Sequence, residues 1–540
     1  MNQDEAFLAR LGYKQDFKRA FSKIELFGVS FSVIGILPSL AGVLIFAIPY
    51  GGPVAMVWGW TACAFFSMFI ATATAELGSA APTAGGLYYW TFRYAPKRWR
   101  YILSWLVGYT NTVAYCVGLT STEWTCAVAL LAGVSIGSDL TYTPTTTQTF
   151  GVFTALLVCH ALTASMSNSI LARLQGFVIA CNILLALGVI IALPLATPKE
   201  FINSAGYAFG HFENCGLLVI VFRSRPAEGA FDISVHISEE ASNASFAVPF
   251  ATISSPLVAL ILGWGNYLSR PPFEYNADNM VLGINVAIVF CMGTDIKSII
   301  GSPTGQPFAA ILFNSFGQRG TLAVWSIVVF AQFFIGASAV MAASRQMWAF
   351  SRDGVLPFSS FLYRRNKKTG TPIYAVWGSA LLSFIAGLMV FAGPVAVSAI
   401  FSACVVAQNI SLSIPFLCRD FGGQEWVPGV FDLGRLGPIV TAVAVVWMAF
   451  SSVILCFPEN PGPPASEMNY TVLVVGGWVC LCLLYYWFPV YGGMYWFKGP
   501  VANVGVTERG EEESQDEKLG VEVVTLREGT RSSSLMNELS

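Results

Sequence analysis

The chain has 540 residues, of which 55% are hydrophobic and only 11% charged, with a net charge of −2. A soluble globular chain carries about 25% charged residues, so this composition is that of a polytopic membrane protein, and the near-zero charge argues against a nucleic-acid partner. The 12 cysteines fall mostly inside apolar runs, as Cys63, Cys116, Cys404 and Cys480 do, with neither zinc spacing nor a secreted disulfide pattern. They read as small apolar packing residues.

A spanning helix needs about 20 apolar residues. About twelve such segments occur, near 27–48, 54–75, 101–133, 150–165, 174–196, 216–235, 247–292 (interrupted), 321–344, 373–391, 396–417, 437–457 and 471–490. This divides the chain into an N-terminal tail (1–26), a membrane core (27–490) and a C-terminal tail (491–540), the last Glu- and Ser-rich and expected to be disordered beyond about 503. Residues 1–26 are polar and basic, so no cleavable signal peptide is expected. An even count puts both termini on one side, and Lys and Arg choose it. They concentrate in both tails and in 80–102, 165–176, 345–372 and 418–437, whereas the opposite loops carry only Lys199, Lys297 and Arg319. Both termini are therefore expected to be cytoplasmic.

The first segment contains Ser32-Val-Ile-Gly-Ile-Leu-Pro-Ser39. Gly35 weakens a helix and Pro38 has no N–H to give. Polar backbone freed at this depth survives only when buried in protein or lining a cavity. A second break falls five segments later, in Glu228-Gly-Ala-Phe-Asp-Ile-Ser-Val-His-Ile-Ser-Glu-Glu-Ala-Ser-Asn-Ala244, where Gly229 and Ala230 precede Asp232. A carboxylate at apparent membrane depth is a functional candidate. Breaks in corresponding positions of two halves point to the binding site of an inverted-repeat transporter.

After the second segment, Pro82, Gly85 and Gly86 are expected to make an irregular cytoplasmic loop, with Tyr88–Trp90 as an interfacial aromatic anchor. Five runs occur together: Leu11-Gly-Tyr-Lys-Gln-Asp-Phe-Lys-Arg19, Pro82-Thr-Ala-Gly-Gly-Leu-Tyr-Tyr-Trp90, Ala172-Arg-Leu-Gln175, His236-Ile-Ser-Glu-Glu-Ala-Ser-Asn-Ala244 and Ser344-Arg-Gln-Met-Trp-Ala-Phe-Ser-Arg-Asp353. Together they resemble the fungal amino acid/choline/GABA permeases of the amino acid–polyamine–organocation superfamily, over roughly residues 10–500. The resemblance implies an all-α LeuT-type fold, with helices 1–5 and 6–10 as inverted repeats plus two more. It also implies alternating-access uptake, usually driven by protons.

The site follows from the breaks. A half-helix N-terminus offers unpaired N–H groups to an anion such as a carboxylate. That role falls to Gly35, Ile36, Leu37, Pro38 and Ser39, with Ser39 or its backbone as donor. Phe231 is a candidate aromatic gate over the substrate ammonium. Asp232 pairs with that ammonium, orients the unwound backbone, or caps the following helix. Glu123, in the third segment with Asn111 and Tyr115, is a candidate for ammonium or proton binding, or an interfacial carboxylate. Asn182 is a candidate for ion coupling, because the resemblance implies that this face of helix 5 contributes to the ion site; a structural amide bonded to a neighbouring helix is the alternative. Glu76, Glu239, Glu240 and Arg345, with Arg352 and Asp353, are expected at the cytoplasmic gate, the carboxylates alternatively as solvated or paired surface groups. Residues 197–215 and 293–318 are expected as outer loops, the second a lid. His160, His211 and His236 are scattered, so neither a metal nor a cofactor is expected, and no catalytic set points to an enzyme.

Two stretches depart from the family pattern. Arg223, Arg225 and Glu228 break an expected apolar half-helix, and residues 266–283, with Arg270-Pro-Pro272, split the seventh segment. They read as a misread exon boundary near 216–228 and a retained intron, or else as an insertion lining the outer vestibule. The functional expectation is a proton symporter importing GABA or another amino acid, at the plasma membrane or otherwise the vacuole. The alternatives are a choline or polyamine permease, a non-transporting nutrient sensor on the same fold, and an inactive product.

Overall fold

The computed structural model describes residues 3–166, 168–213, 232–264, 283–458, 463–464 and 468–502. The expected break at Gly229, Ala230 and Phe231 and nearly all of both divergent stretches lie outside these residues. The chain divides into two compact units, residues 17–499 and residues 1–16 with 500–540. The smaller unit contains a helix at Gln3–Arg10.

The larger unit is all helical among its described residues, apart from an isolated parallel bridge between Phe21 and Ala241. In chain order its main helices are α1 (Lys23–Ile34), α2 (Ile36–Ala47), α3 (Trp60–Ala80), α4 (Gly86–Tyr94), α5 (Arg100–Gly137), α6 (Thr146–Ala164), α7 (Asn168–Ala196), α8 (Ile233–His236), α9 (Ala244–Trp264), α10 (Ile284–Cys291), α11 (Pro307–Arg352), α12 (Ile373–Gly387), α13 (Pro394–Phe421), α14 (Gly437–Cys456) and α15 (Thr471–Trp487). Ten helical stretches among the described residues are long and apolar enough to cross a membrane, and α15 is a shorter apolar helix. This is an all-α polytopic membrane protein.

Local chemistry accounts for the helix starts. Ser22 Oγ accepts the Glu25 N–H, and Glu25 returns its carboxylate to the Ser22 N–H at 2.7 Å. Thr145 and Gln148 make the same reciprocal box at the start of α6. The long α5 lies against α11 and α13. Trp325 of α11 donates its indole N–H to Ala129 O at 2.8 Å, and Trp105 of α5 donates to Cys482 O at 3.0 Å. Other faces leave aliphatic side chains uncovered: Leu184 and Ile191 on α7 are 68% and 61% exposed and Val446 on α14 is 69% exposed. Apolar surface on this scale suits lipid contact, not water.

Several boundaries differ from expectation. The expected loop over 80–102 contains α4, because Leu87–Arg93 holds no helix breaker before Pro96. Tyr88 and Trp90 are buried rather than interfacial. Tyr88 reaches Asp353 and the carbonyl of Ala349, while Trp90 donates to Ala81 O at 2.9 Å. Both polar tips therefore have protein partners and need no headgroup layer. The expected outer loop over 293–318 holds a short helix, Ile296–Ile300, and the start of α11, which bends at Gly317. Residues 197–213 likewise hold short helical turns at Lys199–Phe201 and Ala205–Gly210. The C-terminal end of α11 runs to Arg352, well past the expected end at 344. Charge ended the hydropathic segment too early, because Arg345 and Arg352 are neutralised inside the fold.

Candidate functional site

The first span is broken at a single residue. Gly35 has φ 43° and ψ 68°. A side chain there would be strained by the left-handed backbone, and its Cβ would lie 2.1 Å from Ile335 Cδ1 of α11. The Gly35 N–H closes the last bond of α1 on Phe31 O at 3.0 Å, and the ladder resumes with Ser39 N–H on Gly35 O at 2.8 Å. Between them, Ile36 and Leu37 have no carbonyl four residues back to bond, and Pro38 has no N–H. The carbonyls of Ser32, Val33 and Ile34 lose their helical donors for the same reason. Among the described residues, the freed donors are thus Ile36 and Leu37. The backbone N–H of Ser39, expected to be free, is committed.

Asp232 sits at the N-cap position of α8 but makes no cap bond with its side chain. Its carboxylate is fully buried and faces three helices. Oδ1 accepts the Tyr115 hydroxyl of α5 at 2.7 Å. Oδ2 accepts the Gln408 amide of α13 at 2.9 Å and lies 3.2 Å from Nε2 of His236, one turn along α8. His236 Nδ1 donates to Ala84 O at 2.8 Å, and Asn111 Nδ2 lies 3.2 Å from Nε2. α8 packs against α1 and α11, the same two elements that frame the Gly35 break.

One end of the bundle is closed by buried ion pairs. Glu239 and Glu240 follow α8 in a short turn. Glu239 bonds Arg352 Nη1 at 2.9 and 3.1 Å and accepts the Ala84 N–H at 3.0 Å. Glu240 bonds Arg345 Nε at 2.8 Å. All four side chains are at least 98% buried. At the end of α3, Glu76 bonds Arg419 of α13 at 2.7 Å and accepts the Leu433 N–H at 3.0 Å. Each of these carboxylates is paired, as the alternative expected, but buried rather than at the surface. A buried pair left without one partner loses about 3–5 kcal/mol, so each couples its two elements firmly.

Glu123 lies apart from this hub. Both its oxygens approach His160 Nδ1 of α6, at 2.7 and 2.8 Å, and both residues are fully buried. Gly336 of α11 makes room for the pair: a Cβ there would lie 2.5 Å from His160 Cε1 and 3.1 Å from Glu123 Oε1. Consecutive residues of α11, Ile335 and Gly336, thus touch the helix break and this pair. Asn182 donates to Val178 O of its own helix at 3.0 Å, not to a neighbouring helix as the structural alternative expected.

The structure brings Asp232, Glu239, Glu240 and Arg345 together with Tyr115 and Asn111, and separates Glu123 and Asn182 from them. Sequence reasoning passed over His236, Gln408 and His160. The first was visible as a histidine four residues after the buried aspartate. Gln408 carried no sequence signal. No grouping of ionisable side chains among the described residues could hold a metal ion.

Spans with a broken first helix, a buried carboxylate hub and an ion-paired closure define a membrane transporter, not an enzyme. An amino acid permease family model matches residues 22–479. The chain belongs to the amino acid permease family. It is similar to a GABA-specific permease of Saccharomyces cerevisiae, 34% identical over 96% of this chain and 89% of that protein. It is also similar to an uncharacterized amino-acid permease of Schizosaccharomyces pombe, 36% identical over 94% and 91%. A rice protein named amino-acid permease BAT1 homolog is 32% identical over 92% and 96%.

Proposed function

We propose that this permease imports GABA or a similar amino acid together with protons, across the plasma membrane, with both termini cytoplasmic. The observation that carries the substrate reading is the pair of freed N–H groups at Ile36 and Leu37, at the positive end of α2. They suit a carboxylate. The freed carbonyls of Ser32, Val33 and Ile34 suit an ammonium close by. Together they match a molecule carrying both groups. Asp232 already accepts from Tyr115 and Gln408, so its role here is to hold the broken sixth segment in place rather than to take the ammonium alone. Phe231, Gly229 and Ala230 complete the site on sequence grounds. The buried pairs Glu239–Arg352 and Glu240–Arg345 support a role for these residues as the cytoplasmic gate.

The test is uptake of labelled GABA by permease-deficient yeast expressing the chain, with unlabelled amino acids, choline and polyamines as competitors. Saturable uptake blocked by amino acids supports the reading. Block by choline alone contradicts it, because choline has no carboxylate for Ile36 and Leu37. Absence of uptake of every labelled solute, with protein at the cell surface, favours a sensor.

A further inference from the structure

The contact between His236 and Asp232 has an acceptor on each side and no hydrogen between them. A backbone carbonyl can only accept, so the bond to Ala84 O at 2.8 Å places a hydrogen on Nδ1. In a neutral ring Nε2 is then a lone pair, met by one N–H of Asn111 at 3.2 Å. It lies 3.2 Å from Asp232 Oδ2, and an ionised carboxylate is also acceptor-only. Two lone pairs facing each other between fully buried side chains repel, with little water to screen them. One added proton removes the conflict. On Nε2 it makes an imidazolium beside a carboxylate; on Oδ2 it makes a carboxylic acid donating to a neutral ring.

Extending the reading of a proton-driven transporter, on which it rests, we infer that Asp232 and His236 share one exchangeable proton between Oδ2 and Nε2, and that this is the proton carried with the solute. Asn111 is suited to both states. Its Nδ2 donates to Nε2 of the proton-free ring, and its buried Oδ1, without a partner among the described residues, becomes an acceptor for Nε2–H when the amide turns over.

Among the described residues, the surroundings supply no competing neutraliser. α5 brings Tyr115, which donates to Oδ1, and α13 brings Gln408 and Cys404. α11 brings Arg345 and Arg352, which are held by Glu240 and Glu239. α9 has no ionisable residue, and α1 has only Lys23 and Glu25 in its first turn. In the segment before α4, Tyr88 bonds Asp353.

Ala84 connects the proton to the gate. Its carbonyl takes the Nδ1 hydrogen of His236, and its N–H goes to Glu239, which holds Arg352. A proton on the ring strengthens the bond to Ala84, because charged donors bond more strongly than neutral ones. The loaded pair therefore keeps the ion-paired end shut, and release of the proton loosens it. This is the order a symporter needs, with loading from one side while the other is sealed.

The test uses the full chain in proteoliposomes with labelled GABA. H236Q removes the titratable ring, and D232N places an amide N–H opposite Nε2, imitating the loaded pair. Wild type should concentrate GABA by up to about tenfold per unit of acid-outside gradient, the limit for one proton per solute. Both variants should lose concentration against a gradient, and in H236Q exchange of labelled for internal unlabelled GABA should fall by less than about tenfold, or 1.4 kcal/mol. Variants that still concentrate GABA as wild type does overturn the proton site and leave the transporter reading standing. Wild type that carries no GABA overturns that reading instead. Melting curves of the purified proteins then decide the proton site: the stability of wild type should vary with pH more than that of H236Q, and coincident profiles overturn the site.

Discussion

His236 Nδ1 lies 2.8 Å from the carbonyl oxygen of Ala84, a residue 152 positions earlier in the chain. This bond fixes which ring nitrogen carries hydrogen and turns the other toward Asp232. Because Ala84 also donates to Glu239, one residue of an irregular turn joins the buried carboxylate hub to an ion pair at the end of the bundle. The tight Pro82–Gly86 turn is therefore a connector between two parts of the transport machinery.

The break at Gly35 should tolerate no side chain. In G35A the left-handed backbone costs about 1–2 kcal/mol, and the added carbon meets Ile335 at 2.1 Å. Surface-expressed G35A should lose at least about tenfold in GABA uptake, equivalent to 1.4 kcal/mol. The double variant G35A/I335A removes the collision but not the backbone strain, so it should remain impaired. Full recovery in the double variant would show that space, not the break, matters at this position.

A carboxylate held by Ile36 and Leu37 should be indispensable in the solute. Each charge-assisted bond is worth about 1.5–3 kcal/mol. Butylamine and 4-aminobutanamide should therefore compete with labelled GABA at least about tenfold more weakly than GABA itself. Equal competition by butylamine would remove the freed N–H groups from the site.

Glu240 should matter to Arg345 more than the pair matters to the fold. E240Q leaves the Arg345 guanidinium buried without its carboxylate, at a cost of about 3–5 kcal/mol. Replacing both at once, as E240L/R345M, should be milder, since it leaves no stranded charge. Melting temperatures in detergent compare the two. A double variant less stable than E240Q would contradict the argument.

Gly336 should be intolerant where Gly188 is not. In G336A the new carbon lies 2.5 Å from His160 and presses on its contact with Glu123, so overpacking of about 1–3 kcal/mol is expected. Gly188 of α7 has nothing within 4 Å of an added Cβ. G188A should be neutral or stabilise by up to about 1 kcal/mol through helix propensity. Thermal melts of the two proteins check the contrast.

Much of this was legible in the chain, for identifiable reasons. Spans announce themselves by length and apolarity, and the first break by Gly35 and Pro38 standing together. Asp232 was conspicuous as a charge at depth. Its partners were not, because Tyr115 and Gln408 lie 117 and 176 residues away and only the packing of α5 and α13 brings them in. The C-terminal end of α11 was misjudged for a related reason. Hydropathy counts Arg345 and Arg352 as solvent-seeking, whereas carboxylates 105 and 113 residues earlier bury them. His160 gave no sign of Glu123 beyond its apolar setting, and the contact depends on a glycine in a third helix.

The central claim is tested most directly by wild-type protein in proteoliposomes enclosing a pH-sensitive dye, with an acidic exterior, when GABA is added outside. The account predicts that the lumen acidifies on GABA addition, in step with labelled GABA entry, and not on addition of butylamine. GABA entering with no change in luminal pH would contradict it.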